Sequence, residues 1–200
     1  MIPKRTIYSS DHDQFREAVR RFLDAEFLPH ADRWERDGIV PRSFWRLAGE
    51  VGLLCPSVPV DYGGAGCDFL FNAVVSEEMA FTGYMFPSFS VHSDINAFYL
   101  LHYGSEALKR RWLPSMVTGE AISAIAMSEP GAGSDLQSVR TRARRDGDAF
   151  VVTGSKTFIT NGQNADFVIL VCRTNDQPGA KGISLLLVEG DRQGFVRGRN

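Results

Sequence analysis

The chain has 200 residues, enough for one large or two small domains, and its 44% apolar content with a formal charge of −2 excludes a disordered chain and a strongly nucleic-acid-binding one. Three cysteines without a close pair (Cys55, Cys67, Cys172) and four histidines without ligand spacing (His12, His30, His92, His102) argue against a disulfide scaffold and a metal site, and the histidines read as surface or capping groups. No apolar run is long enough for a membrane span and the N-terminus does not read as a signal peptide, so the default expectation is a cytoplasmic protein.

Ser10-Asp11-His12-Asp13 reads as a helix start, followed by Phe15, Ala18, Val19, Phe22, Leu23 and Phe27 at helical spacing, with Pro29 ending or restarting the helix. Pro41 opens a second helix with Phe44, Leu47, Ala48 and Val51 inward and Gly52 at its stop. After the loop from Pro56 to Gly66, the stretch from Asp68 to about Gly83 is apolar on nearly every side, which predicts a helix buried all round. Another helix is expected from Phe89 to Tyr103. A further one starts at Ser105-Glu106 and is expected to break at Pro114.

At Ala121 the period changes from helical to alternating. Candidate strands are 121–127, 138–145, 149–154, 156–160, 166–173 and 183–189, with turn signals at Asp146-Gly147-Asp148, Asn161-Gly162 and Pro178-Gly179. The expected fold class is therefore α+β multidomain: an all-α domain over residues 1–121, then a small β-barrel or sandwich over 122–200. Arg140, Arg142 and Arg144 alternate with Val139, Thr141 and Ala143, and read as the solvated face of a half-buried strand.

The run Ile125-Ala126-Met127-Ser128-Glu129-Pro130-Gly131-Ala132-Gly133-Ser134-Asp135 starts as an apolar strand and breaks at Pro130 into a loop of small residues. Gly131 and Gly133 suit positive φ and close approach of backbone to a ligand, while Ser128, Ser134 and bare N–H groups can donate to a flat polar edge or a phosphate. A P-loop is excluded because Ser134-Asp135 stands where Gly-Lys-Ser/Thr is needed. A dinucleotide fingerprint is excluded because Leu136 holds the place of its third glycine. Further on, Lys156-Thr157-Phe158-Ile159-Thr160-Asn161-Gly162 reads as a strand carrying an aromatic ring and a hydroxyl on one face, then a turn.

Together the two segments resemble the signatures of the acyl-CoA dehydrogenases, flavoenzymes that desaturate acyl thioesters, and the likeness runs from about Ser10 to the last residue. It implies FAD as cofactor, with Ile125, Met127, Ser128, Gly133, Ser134, Phe158, Ile159 and Thr160 in its site. Phe158 would pack on the ring where many members have Trp. It implies an acyl-CoA substrate met by Ser134 and by Gly179, Ala180 and Lys181 in the loop after Pro178. It also implies electron transfer flavoprotein as acceptor and a homotetramer or homodimer. Met127-Ser128, Asp135-Leu136-Gln137 and Pro87 to Ser93, in a region that lines the acyl tunnel of the family, resemble the long-chain branch. The family continues past the position of Asn200 with further strands, a four-helix bundle and the catalytic glutamate, so a fragment is expected and no catalytic base is assigned. Glu77, Glu78 and Glu129 read as structural. The alternatives are an acyl-CoA oxidase or flavin monooxygenase on the same scaffold, or a half-length chain that only binds or assembles.

Overall fold

The computed structural model describes residues 5–199, which divide into two compact units meeting at Ile122 and Ser123. In the first unit, α1 (Ser10–Phe22) is opened by a capping box. The Ser9 N–H and hydroxyl both meet His12 Nδ1, at 3.0 and 2.8 Å, and His12 Nε2 faces Asp68 Oδ1 at 3.1 Å. The chain continues through a π-turn at Leu23–Phe27 and then forms α2 (Ala31–Asp37), α3 (Arg42–Glu50), α4 (Phe69–Phe81), a π-turn at Val91–Asn96 leading into α5 (Ala97–Tyr103), and α6 (Glu106–Val117).

The core of this unit gathers Val19, Leu23, Phe27, Trp34, Phe44, Trp45, Leu53, Leu54, Val74 and Phe89. The inward face of α3 differs from the expected one. Trp45 is buried beside Phe44 and Ala48, whereas Leu47 and Val51 are exposed. Helix α4 is not buried all round either: Phe69 and Phe81 are exposed at its two ends, and its buried face includes Glu78. Glu78 accepts from Arg16 at 3.0 Å and Arg20 at 2.9 Å, and Glu77 pairs with Arg16 at 2.8 Å, so these two carboxylates fasten α1 to α4. Helix α6 runs through Pro114 rather than breaking there. His92 is not a surface histidine: it is fully buried, with Nε2 3.0 Å from the Met116 carbonyl oxygen.

Inside this unit, Asp94 is held by Asn72 Nδ2 at 2.7 Å and Ser76 Oγ at 3.3 Å. Burial raises its pKa, and the two hydrogen bonds offset only part of that rise. A carboxyl with a raised folded-state pKa favours the fold when protonated. Its contribution is present below the unfolded value and is lost as pH rises through the folded value. Asp94→Asn should therefore hold or raise the urea midpoint of this unit at pH 7 and flatten its pH dependence above the ordinary aspartate value of 3.8. Tryptophan fluorescence reads this directly, because Trp34, Trp45 and Trp112 all lie in this unit. A midpoint that falls sharply at pH 7 would refute the assignment.

The second unit is one five-stranded sheet: β1 (Ser123–Ala126), β2 (Arg142–Asp146), β3 (Ala149–Thr153), β4 (Phe167–Arg173) and β5 (Ile183–Glu189). Strand β4 is central. It pairs in parallel with β1 from Ser123↔Phe167 to Ala126↔Leu170, and antiparallel with β5 from Phe167↔Glu189 to Arg173↔Ile183. That position accounts for its uninterrupted apolar run, since residues on both of its faces are covered. The β2–β3 hairpin turns at Gly147-Asp148 and joins β4 at Arg142↔Arg173. Val139, Thr141 and Ala143 are buried while Arg140, Arg142 and Arg144 are exposed, as the alternation requires.

The expected strand at 156–160 does not form; the segment is a loop leading into turns at 160–164. Phe158 has φ of +56°, which no strand tolerates. Its neighbours' polar groups are engaged elsewhere, by the loop that follows β1.

Candidate functional site

The site grows from the end of β1. Ile125 is buried on the strand, on the face opposite Ala124 and Ala126, and Met127 and Ser128 carry the chain out of the sheet half-buried. Glu129 and Ala132 then exchange backbone hydrogen bonds, at 2.8 Å and 3.1 Å, and close a tight turn over Pro130-Gly131. Gly133 and Ser134 follow, exposed, before Asp135 accepts from the Gln137 N–H at 3.1 Å and starts a short 3₁₀ turn over Leu136–Ser138.

The Glu129 side chain closes this loop. Its carboxylate accepts from the Arg140 N–H at 2.7 Å and the Thr141 N–H at 2.9 Å, at the far end of the loop. It also takes Lys156 Nζ at 2.9 Å, in an ion pair whose side chains are 8% and 6% exposed. Burial pushes the carboxyl pKa up. The hydrogen bonds from the Arg140 and Thr141 amides and from Lys156 overcome that and hold it at about 2. Glu129 is thus ionised at every physiological pH, and it serves the loop rather than acting as a proton carrier.

The second segment lies against the first. Thr157 N–H donates to the Ser128 carbonyl at 3.0 Å, and Lys156 Nζ donates to the Met127 carbonyl at 2.8 Å. Phe158 is 98% exposed at its positive φ, so a bulky apolar ring is held outward on strained backbone. Ile159 packs its side chain on the sheet core formed by Ala124, Ala126, Val168 and Leu170, and Thr160 is exposed beside it. The turn after Thr160 is real, with Asn161 at φ of +63° and Gly162 N–H bonded to the Ile159 carbonyl.

Neither Gly131 nor Gly133 adopts the left-handed region, contrary to expectation. A Cβ at either position would meet nothing within 4 Å. The bare loop is therefore not required by the chain's own packing, and it fits close approach by something outside the chain.

The third loop is brought to the first by a residue that the motifs do not flag. Arg173, at the end of β4, donates to the Gln137 carbonyl at 3.2 Å and to the Gln177 carbonyl at 2.7 Å. Gly179 begins the 3₁₀ turn Gly179–Gly182 with φ of +61°, and a Cβ there would lie 2.7 Å from Gln137 Oε1. Ala180 and Lys181 are exposed on that turn. Arg173 is legible in the sequence as the one charge closing an otherwise apolar strand, whereas Lys156 stands out only as a motif position. Among the described residues no cluster of His, Cys, Asp and Glu could hold a metal ion, and no helix is long and apolar enough to cross a membrane.

Residues 9–120 match the acyl-CoA dehydrogenase N-terminal domain and residues 124–200 match the acyl-CoA dehydrogenase middle domain. The long-chain specific acyl-CoA dehydrogenase of Sus scrofa is 49% identical over 197 residues, 98% of this chain and 46% of that protein. Crystal structures of an acyl-CoA dehydrogenase from Geobacillus kaustophilus (TM-score 0.94, 48% identity, 98% of this chain and 52% of that one) and of a glutaryl-CoA dehydrogenase from Mycobacterium smegmatis in complex with FADH2 (TM-score 0.85, 32% identity, 94% and 47%) share the fold. The chain spans about half the length of the curated relatives it matches. The pig, mouse and rat relatives are named as mitochondrial proteins, which overturns the cytoplasmic expectation. Both family domains match along nearly the whole chain, with the glycine loop and the Lys156 segment side by side in the second of them: the chain belongs to the acyl-CoA dehydrogenase family.

Proposed function

We propose that this chain binds FAD between the loop 125–134 and the segment 158–160, and supplies the cofactor side of an enzyme that desaturates long-chain acyl-CoA at the α,β position. The carrying observation is the pair of contacts that lay one segment along the other, Thr157 N–H to Ser128 O and Lys156 Nζ to Met127 O. Three features fit a flat cofactor with a polar edge. The glycine loop leaves open space above Gly131 and Gly133, Phe158 offers a bare ring, and the Thr160 hydroxyl stands two residues from that ring along the chain.

In this reading FAD, when bound, would supply the acceptor for the hydrogen lost from the β carbon. The chain's own residues orient and exclude. Lys156 fixes the Met127 carbonyl and with it the Ser128 N–H of the same peptide, and a fixed donor of this kind stabilises negative charge without reorganising. Phe158 covers the ring with apolar surface. Ser134 and the turn Gly179 to Lys181, tied together through Arg173 and Gln137, would receive the CoA arm. No carboxylate among Glu77, Glu78 and Glu129 is placed as the α-proton base, because each is committed to ion pairs. Electron transfer flavoprotein as acceptor, and a homotetramer or homodimer, complete the proposal.

The test is an absorbance spectrum of the flavin-loaded holoenzyme carrying this chain under anaerobic titration with acyl-CoAs of graded length. Bleaching that is strongest with long chains, followed by slow reoxidation in air, is the expected result. Rapid peroxide formation would turn the reading toward an oxidase. A protein that takes up no flavin would end it.

A further inference from the structure

The buried pair Lys156–Glu129 does more than its contribution to stability requires. A buried ion pair gains little over a well-packed apolar pair of the same volume, because desolvating two charges offsets their attraction. An apolar pair could not do what this one does to the backbone. Lys156 Nζ binds the Met127 carbonyl at 2.8 Å while it binds Glu129 Oε1 at 2.9 Å. In a trans peptide the carbonyl and the next N–H point opposite ways, so pinning the Met127 oxygen toward Lys156 turns the Ser128 N–H away from it. The Ser128 carbonyl is pinned in turn by the Thr157 N–H, and Glu129 ties the loop end to Arg140 and Thr141.

We propose that Lys156 is a positioning residue for the cofactor: it aims the Ser128 N–H at the flavin's polar edge, and with Glu129 keeps the net charge behind that edge at zero. The proposal rests on the FAD reading above. It makes a prediction about sign. Removing the lysine leaves the Glu129 carboxylate unbalanced and frees the Ser128 peptide, and both changes disfavour the reduced, more negative cofactor. Removing the carboxylate charge leaves the lysine unbalanced but still on the Met127 carbonyl, which favours the reduced form.

The experiment measures the flavin midpoint potential in the holoenzyme carrying this chain, with Lys156→Met, Lys156→Arg and Glu129→Gln beside the unsubstituted protein. At a fixed potential, Lys156→Met should raise the ratio of oxidised to reduced flavin about tenfold and Glu129→Gln should lower it about tenfold, about 30 mV in opposite directions for a two-electron couple. Lys156→Arg, which keeps the charge, should lie within about threefold of the unsubstituted protein on the same scale. A pair that merely holds the fold together would not move the potential with charge-dependent sign. Equal potentials in flavin-loaded variants, or shifts in the same direction, overturn the proposal while leaving FAD binding intact. Should Lys156→Met fail to fold, the Glu129→Gln shift alone decides it. If the unsubstituted protein binds no FAD, the cofactor reading itself fails, and this proposal with it.

Discussion

Glu129→Ala should lower the stability of the β unit by about 3–5 kcal/mol at pH 7, because it leaves the Lys156 ammonium buried without its partner and two amides, the part-buried one of Arg140 and the buried one of Thr141, without their acceptor. The pH dependence gives a second readout. The carboxyl stands at about 2 in the fold against an ordinary value of 4.5. A depressed folded-state pKa contributes stability that is fully present above the unfolded value and is lost as pH falls through the folded one. At about 1.4 kcal/mol per pH unit this is on the order of 3 kcal/mol, lost between about pH 5 and pH 2. The alanine variant should therefore start lower and lose less on acidification. The β unit contains no tryptophan, so hydrogen exchange of the β4 amides is the suitable measure. The double variant Glu129→Ala/Lys156→Met should recover part of the loss, since it removes the uncompensated charge. A loss under about 1 kcal/mol, or an unchanged acid slope, would show that the carboxylate is not the clasp of the loop.

The parts that sequence made legible are those governed by a strong period or by a fixed residue chemistry. The sequence changes from helical to alternating pattern at Ala121, and the two compact units divide between Ile122 and Ser123; burial imposes both periods. Strand β4 was readable because a central strand must be apolar throughout. What sequence hid are the positions where a tertiary contact overrode a local pattern. Lys156 to Thr160 alternates like a strand, yet Lys156 is drawn to Glu129 and Met127, the Thr157 N–H is spent on Ser128, and Phe158 turns to positive φ. In α6, Pro114 forfeits one hydrogen bond without ending the helix. Arg110 and Pro114 both lie on its exposed side, where water can serve the orphaned carbonyl. In α3, periodicity favoured Leu47 and Val51, and the larger Trp45 took the interior against Phe89 and His92. The glycine loop is recognisable as a motif, but not its conformation: Gly131 and Gly133 lie outside the left-handed region and leave the loop bare, with nothing within 4 Å of an added Cβ.

That bareness makes Gly133→Val the sharpest separation of binding from folding. A Cβ added at Gly133 meets nothing within 4 Å beyond its chain neighbours, and the backbone there is not left-handed. Exposed substitutions of this kind change stability by about 0.5 kcal/mol or less. If the loop faces FAD as proposed, the same isopropyl group occupies the space of the cofactor. FAD affinity should then fall at least about 100-fold, or about 2.7 kcal/mol. Gly131→Val should behave similarly for the same reason. Gly198→Val is the control, being equally open, outside the left-handed region and distant in sequence from the loop. Fluorescence titration with FAD, run beside a thermal unfolding curve, gives both quantities from one preparation. An unchanged FAD affinity in Gly133→Val would place the cofactor elsewhere, whereas a matching loss of fold would mean that the open space above the loop is filled by protein.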